Sequence, residues 1–142
     1  MHCTIVTNVT QSVLIDTSAI LAVLLDELEK PAVVDATAGK ILCAPGSLRW
    51  EVGNAATAGV KRRRLTPARA RQIVKDFEQV TIREVAIDME RALDLALDLG
   101  LYAYDGYILE AARSSGFPLV SLDHLVRSSA QKMGIAMVEL DL

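Results

Sequence analysis

The stretch VLIDTSAILAVLLDELE, residues 13–29, joins a short β-branched run to a longer apolar segment. Val13-Leu14-Ile15 predicts a first strand, because β-branched residues favour extended backbone. Asp16-Thr17-Ser18 then offers several N-cap candidates, so a helix is predicted to begin there and to continue to about Glu29. A strand that leads directly into a helix is the building unit of an α/β fold.

The same alternation continues to the end of the chain. Further strands are predicted at residues 41–43, 80–82, 119–121 and 136–138. Further helices are predicted at about residues 47–60, 66–78, 87–99, 104–115 and 123–133. Strands that are short and apolar on both faces indicate a sheet covered by helices on both sides. We therefore predict an α/β protein: a three-layer α/β/α sandwich with a central, mostly parallel sheet of about five strands.

The length and composition of the chain fit one folded domain. Its 142 residues are 51% hydrophobic, which is far from the composition of disordered proteins. Residues 1–12 lack the basic and long apolar regions of a signal peptide, so we expect a lead-in that can be disordered, followed by a domain over residues 13–142. The uncharged apolar run at residues 19–25 is too short to span a bilayer, and no membrane partner is expected.

Cysteine and histidine are too sparse to build a transition-metal site. Cys3 and Cys43 have no motif spacing, which is typical of free thiols in a cytoplasmic protein. His2 and His124 are far apart in the sequence. Any metal site in this chain is therefore expected to use oxygen ligands.

Four acidic residues occupy positions where the predicted sheet would form a ligand crevice. Asp16 follows the first strand directly, and Asp123 comes two residues after the fourth. Glu51 lies one turn into the helix after the second strand, and Asp105 opens a later helix. Because parallel sheets bind ligands beyond the carboxyl ends of their strands, four carboxylates from four segments can meet there.

Each of these acids also has a simpler explanation. Asp16 and Asp123 could be helix N-caps, Asp105 a turn or cap residue, and Glu51 a surface glutamate. Taken together they favour a site, because each follows apolar residues (VLID, SLRWE, LYAYD, PLVSLD) among which an unpaired carboxylate is costly. A bound cation would relieve the repulsion within such a cluster, and carboxylate oxygens suit Mg²⁺ or Mn²⁺.

The segments LIDTSAILAVLLDE, RWEVGNAA, YAYDGYILEAA and LVSLDHL resemble, in order and spacing, the acidic motifs of PIN-domain nucleases. The likeness is greatest to the VapC toxins of bacterial toxin–antitoxin pairs and covers nearly the whole chain from Val13. It implies a divalent-metal-dependent ribonuclease, the toxin of a type II system. It further implies that Asp16, Glu51, Asp105 and Asp123 are catalytic metal-site carboxylates, with Glu51 either ligating the metal or orienting the attacking water. An RNA substrate, a small antitoxin and a homodimer are also implied.

The resemblance assigns supporting roles as well. Ser18 is the small hydroxyl residue two places after the first aspartate, and Asn54 is a secondary polar contact one turn beyond Glu51. Ser121 stands where relatives often have threonine, which keeps the hydroxyl. Residues 1–12 exceed the usual start of such toxins, which leaves their role open.

Basic residues concentrate in one segment. Residues 61–71 contain no acid and hold six of the 15 lysines and arginines: Lys61, Arg62, Arg63, Arg64, Arg69 and Arg71. Such a segment can bind RNA phosphates or an acidic partner even though the net charge is −3. It can equally be a solvated loop and helix start.

Other functional classes fit less well. Receiver-type phosphotransfer domains need paired acids after the first strand and a lysine after the last, and no lysine follows Met133. Asp16-Thr17-Ser18 also lacks the Asp-x-Asp nucleophile motif of haloacid-type phosphatases. An RNA-processing PIN nuclease without a toxin role, or a non-catalytic PIN scaffold, remains as an alternative.

Overall fold

A computed structural model describes residues 10–142 as one central sheet with helices on both faces. Four strands are present in this part of the chain: β1 (Ser12–Ile15), β2 (Ile41–Ala44), β3 (Arg83–Glu84) and β4 (Leu119–Val120). They run parallel in the order β3-β2-β1-β4. The predicted fold class is therefore confirmed, with four strands in the sheet rather than about five.

Seven helices connect and follow these strands within residues 10–142. They are α1 (Thr17–Leu24), α2 (Lys30–Thr37), α3 (Leu48–Lys61), α4 (Pro67–Glu78), α5 (Met89–Leu99), α6 (Ala103–Ser115) and α7 (His124–Lys132).

The alternation of side chains along β1 divides the core into two halves. Val13 and Ile15 belong to a cluster with residues of α1–α4, whereas Leu14 packs with residues of α6 and α7. In the sheet, Leu14 pairs with Cys43 and with Leu119, so β1 is a central strand, and its residues Val13, Leu14 and Ile15 are buried. This arrangement gives the three layers that the two-sided apolar strands predicted.

The strand order places a crevice beside β1. The chain proceeds from β1 outward through β2 and β3, and then returns to the opposite side of β1 with β4. The direction of winding thus changes between β1 and β4. Ligands in open α/β sheets bind at such a switch point, beyond the carboxyl ends of the strands.

The first predicted helix was too long, because the chain turns sharply after Leu24. Asp26 adopts a left-handed conformation with φ 54°, and a separate helix, α2, begins at Lys30 with Pro31 in its first turn. Arg69 stabilises this corner from another element: its Nη2 donates a hydrogen bond of 2.9 Å to the Leu24 carbonyl oxygen. A side chain 45 residues away therefore caps the end of α1.

Two of the predicted strands also differ in detail from the structure. The third strand forms at Arg83–Glu84 instead of residues 80–82, where Val80 and Ile82 pack their side chains on the core without pairing their backbone. The predicted fifth strand is reduced to a single parallel bridge between Leu119 and Met137. Both lie at the margins of the sheet, where pairing is short.

The lead-in predicted for residues 1–12 falls mainly on residues 1–9, including His2 and Cys3, which lie outside the described part of the chain. Ser12 is already the first residue of β1. Cys43 carries a buried free thiol on β2. No helix within residues 10–142 combines the length and the apolar character that a bilayer crossing requires.

Candidate active site

The four predicted acidic residues line one cleft at the switch point of the sheet. Asp16, Glu51, Asp105 and Asp123 share a cavity of about 220 Å³. They come from the end of β1, the first turn of α3, the first turn of α6 and the residue before α7. The structure therefore brings together carboxylates that are up to 107 positions apart in the sequence.

Asp16 is the most deeply buried of the four, with 6% of its surface exposed. Its Oδ1 accepts hydrogen bonds from Ser18 Oγ (2.6 Å) and from the Ala19 backbone N–H (3.0 Å), while Oδ2 accepts one from Ser121 Oγ. Burial raises the pKa of Asp16, these three hydrogen bonds oppose the rise, and the nearby Asp123 adds to it. The side chain is thus held in one orientation, and Oδ2 keeps a lone pair for a further ligand.

Ser18 and Ser121 connect Asp16 to the loop after β4. Ser18 Oγ accepts a hydrogen bond from the Leu122 backbone N–H at 2.9 Å, and Ser121 Oγ accepts one from the Asp123 N–H at 3.0 Å. Each hydroxyl therefore donates to Asp16 and accepts from this loop. The two serines fix the Asp123 backbone relative to the Asp16 carboxylate, which is a positioning role.

Asp123 combines a capping role with a place in the cleft. Its Oδ1 accepts a hydrogen bond of 2.9 Å from the Val126 N–H at the start of α7. Asp16 caps α1 in the same way through Ala19. The capping role and the site role that the sequence suggested are therefore compatible, because a carboxylate has a second oxygen available.

Asp105 depends on a close contact between α5 and α6. The next residue, Gly106, lies against the Ala92 carbonyl oxygen of α5, and a Cβ there would overlap that oxygen. This contact fixes the position of the first turn of α6, which carries Asp105 into the cleft. Burial raises the pKa of Asp105, and the charges of Asp123 and Asp16 raise it further.

The carboxyl group of Glu51 is strongly perturbed by its surroundings. Burial raises its pKa from 4.5 to about 7, and the charges of Asp105 and Asp16 contribute to the increase. The neighbouring Thr17 hydroxyl opposes it, but Thr17 Oγ1 makes no hydrogen bond of good geometry within residues 10–142, so burial dominates. A carboxyl group with a pKa near neutrality can exchange a proton during a reaction.

The chemistry of this donor set fits a hard divalent cation. All four groups are carboxylates; burial raises the pKa values of Asp16, Glu51 and Asp105, and repulsion between the carboxylates raises them further. A cation would relieve that repulsion, and Mg²⁺ and Mn²⁺ prefer oxygen ligands. Within residues 10–142, the side chains in their present positions bring no three acidic, histidine or cysteine groups close enough together to coordinate a metal ion. Binding would therefore require side-chain adjustment, for which Glu51 and Asp105 are sufficiently exposed.

Some residues of the cleft were not predicted, and one predicted residue lies elsewhere. Asn54 is exposed and does not line the cleft. Pro45, Leu48 and Tyr104 form its walls. Pro45 could have been found from the sequence, because it follows directly after the second strand.

The basic segment lies at the far end of α3 from Glu51. Ten residues separate Glu51 from Lys61, which corresponds to roughly 15 Å along the helix. Lys61, the arginines at 62–64 and Arg71 are exposed. Arg69 is half-buried; besides its bond to Leu24, its Nη2 is 3.8 Å from Asp26 Oδ2. Arg69 therefore stabilises the fold and is the member of the set that is least available to RNA.

Comparison with known proteins agrees with this geometry. A family model described as PIN domain matches residues 13–132, which include all four carboxylates. The crystal structure of PAE2754 from Pyrobaculum aerophilum superimposes with a TM-score of 0.62. The two chains are 23% identical, and the match covers 84% of this chain and 79% of the other. No curated protein matches the chain significantly in sequence.

Proposed function

Since the chain belongs to the PIN-domain family, whose members are generally metal-dependent nucleases, we propose that it is a divalent-metal-dependent endoribonuclease. The observation that carries the proposal is the cleft at the β1/β4 switch point. Four carboxylates from separate segments line it, and electrostatic coupling links each of them to another. Carboxylates with pKa values raised by burial and by one another cluster at functional sites.

The four carboxylates divide into two roles in this proposal. Asp16, Asp105 and Asp123 would hold Mg²⁺ or Mn²⁺ directly or through water. When bound, the cation supplies Lewis-acid chemistry: it stabilises charge on the phosphate and lowers the pKa of bound water. Glu51 would orient the attacking water and accept its proton, as its pKa of about 7 permits. The water oxygen would then bond to phosphorus while the bond from phosphorus to the leaving ribose oxygen breaks, and that oxygen would take up a proton from solvent.

RNA is the substrate that the family resemblance implies, in a single-stranded or loop region. The basic residues Lys61, Arg62, Arg63, Arg64 and Arg71 support this proposal. Lys61 lies roughly 15 Å from Glu51 along α3, and Arg62, Arg63 and Arg64 follow it directly in the chain, within reach of the same RNA strand. Their positive charge would attract the phosphates that flank the cut, and the cleft itself would bind the scissile phosphate through its cation.

A toxin role in the cytoplasm, with control by a small antitoxin, is the finer part of the proposal. An antitoxin would inhibit the enzyme by covering the acidic cleft, with an inserted arginine that replaces the cation's positive charge. Overexpression of the chain alone should then arrest growth, and coexpression of the antitoxin should relieve the arrest. Soluble, active protein that leaves growth unchanged would contradict the toxin role and leave the nuclease proposal intact.

We also propose a homodimer that forms through α5. Ala92 and Ala96 of this helix are buried against α6, but its apolar surface extends further around the helix. Met89, Leu93 and Leu97 are spaced four residues apart on one face and are 59%, 47% and 69% exposed. A second copy of the chain would cover this stripe.

The nuclease proposal is tested by RNA cleavage in defined metal conditions. A labelled single-stranded RNA should be cut with Mg²⁺ or Mn²⁺ and left intact in excess EDTA. Asp16→Asn and Asp105→Asn should abolish cleavage, while Glu139→Gln, at an exposed position, is the matched control. Cleavage that persists in EDTA or in both aspartate variants contradicts the proposal. A wild-type protein that binds RNA but never cuts it would instead be a scaffold.

A further inference from the structure

A second cavity adjoins the acidic cleft on the side of β2 and β3. Its volume is about 240 Å³, and Pro45 and Leu48 line both cavities. A single wall thus separates it from the carboxylates. We call it the side pocket.

The side pocket combines an apolar floor with a charged rim. Phe77, Val80 and Ile82 line the floor and pack on the core beneath. Arg49 and Glu78 meet at the rim, where Arg49 Nη2 is 3.0 Å from Glu78 Oε1. A flat apolar ring could lie on such a floor while its edge meets the polar groups.

Glu84 supplies a second carboxylate, and Gly46 makes room for it. A Cβ at position 46 would overlap Glu84 Oε1. The absence of a side chain at Gly46 therefore allows the Glu84 carboxylate to lie against the backbone beside the pocket. With Glu78 and Glu84 against Arg49, the charged groups that line the pocket sum to −1.

The net negative charge of the side pocket determines which part of an RNA strand can bind in it. A net negative rim disfavours phosphate, and Arg49 is already paired with Glu78. Carboxylates accept hydrogen bonds from the amino groups of bases, as glutamate does from cytosine. Proteins that recognise single-stranded RNA commonly bind unstacked bases in this way.

We propose that the side pocket binds one unstacked nucleobase of the RNA and selects a base with an exocyclic amino group over uracil. This inference rests on the proposed ribonuclease function, because the phosphate next to that base would lie in the acidic cleft. Glu78 and Glu84 accept the amino hydrogens, and the base ring lies over Phe77. The side pocket is thus a specificity subsite, one nucleotide from the cut.

Trp50 provides a direct signal for occupancy of the side pocket. It is the single tryptophan of the chain, it is 65% exposed, and its ring centroid lies 4.9 Å from Arg49 Cζ. A base that enters the pocket moves or screens the Arg49 guanidinium, which changes the surroundings of the indole. Intrinsic fluorescence therefore measures binding without any need for cleavage.

The test is a fluorescence titration of the whole protein in EDTA, which prevents cleavage. The ligands are two pentaribonucleotides: one of uridines only, and one with a single central cytidine. The cytidine-containing ligand should change the Trp50 signal and bind about tenfold more tightly. Gly46→Ala, which displaces Glu84, and Glu84→Gln, which replaces one of its two acceptor oxygens with a donor, should both reduce this preference. Glu139→Gln, beyond the opposite edge of the sheet, should retain it.

The outcomes separate this inference from the nuclease proposal. Equal binding of the two ligands, or a preference unchanged in both pocket variants, overturns the base-binding role. If the preference is present but the protein does not cut RNA with Mn²⁺, the nuclease proposal fails and the base-binding role stands. Circular dichroism of each variant verifies folding, and the Glu84→Gln variant, which adds no heavy atoms, decides the result if Gly46→Ala unfolds.

Discussion

Replacement of Glu51 by glutamine should stabilise the metal-free protein at alkaline pH. Glutamine has nearly the same shape as glutamate but carries no charge, so it reproduces the protonated form. In the wild type, burial raises the pKa of Glu51 from 4.5 to about 7, so ionisation above pH 7 costs free energy in the folded state. The Glu51→Gln variant avoids this cost.

The size of the effect follows from the pKa difference. Raising the pKa from 4.5 to about 7 corresponds to about 3 kcal/mol. Because Glu51 is partly exposed, solvent screening reduces the expected gain to about 2 kcal/mol. For a domain of this size, that gain raises the melting temperature by about 6 °C.

The pH dependence gives the sign of the effect. Between pH 4.5 and about 7 the folded state keeps the Glu51 proton that the unfolded state has lost, so the contribution of Glu51 to stability decreases as the pH rises. The advantage of the variant should therefore be largest near pH 8.5 and should shrink towards pH 4.5.

Thermal or urea unfolding in EDTA, followed from pH 4.5 to 8.5, measures this difference. Glu139→Gln removes one exposed carboxylate outside the cleft and serves as the matched control. A Glu51→Gln variant that is less stable than wild type at pH 8.5 would refute the reasoning. A difference that stays constant over this pH range would also refute it, because a constant offset cannot arise from the Glu51 proton.

Three further predictions concern other parts of the molecule. Thr17 and Ser47 each bury a hydroxyl that has no hydrogen-bond partner in the described chain, so Thr17→Val and Ser47→Ala should not lower the melting temperature of the metal-free protein. Thr17 also lines the cleft, and only Thr17→Val should weaken Mn²⁺ binding when it is measured by calorimetry. Replacement of Arg62, Arg63 and Arg64 by alanine should reduce the slope of log K for RNA binding against log salt concentration by about 0.7 for each phosphate that the protein no longer neutralises. Arg69→Ala should mainly lower the melting temperature. An unchanged salt slope would show that residues 62–64 are solvated and do not contact RNA. Leu93→Asp should convert the dimer to a monomer in light scattering, and a monomeric wild type would contradict the α5 interface.

Local signals in the sequence predicted much of the fold. Helix α4 covers the predicted residues 66–78 closely, and it begins after Thr66 because Thr66 Oγ1 accepts a hydrogen bond from the Arg69 N–H. The helices predicted to end at residues 99 and 115 end there, since the glycines that follow, Gly100 and Gly116, adopt the left-handed conformation. These features depend on neighbours within a few residues, which a sequence displays directly.

Features that depend on distant partners could not be predicted. The end of α1 at Leu24 depends on Arg69, and no local pattern indicates that contact. The displaced third strand depends on the pairing of Arg83 with Cys43, whereas the apolar residues before it suggested an earlier start. In each case a tertiary contact determined the backbone.

In the candidate site, too, local sequence signals located some residues, whereas the roles of others depend on contacts between distant segments. The strand ends located Asp16 and Asp123, because the ends of parallel strands meet at one edge. Asn54 was placed in the site only by resemblance, and it lies at an exposed position outside the cleft. The double role of Ser121, which donates to Asp16 and accepts from the Asp123 backbone, required coordinates of two segments 105 residues apart.

Thermal unfolding of wild type and Asp105→Asn, each in EDTA and in saturating Mn²⁺, tests most directly whether the four carboxylates form a metal site. A cation at a hundred times its dissociation constant adds about 2.7 kcal/mol, which raises the melting temperature of the wild type by about 3–6 °C. In EDTA, Asp105→Asn should melt no lower than wild type, because the substitution removes one repelling charge, and it should gain much less from Mn²⁺. A variant that melts lower in EDTA and gains as much as wild type from Mn²⁺ would show that Asp105 stabilises the helix start and does not bind the metal.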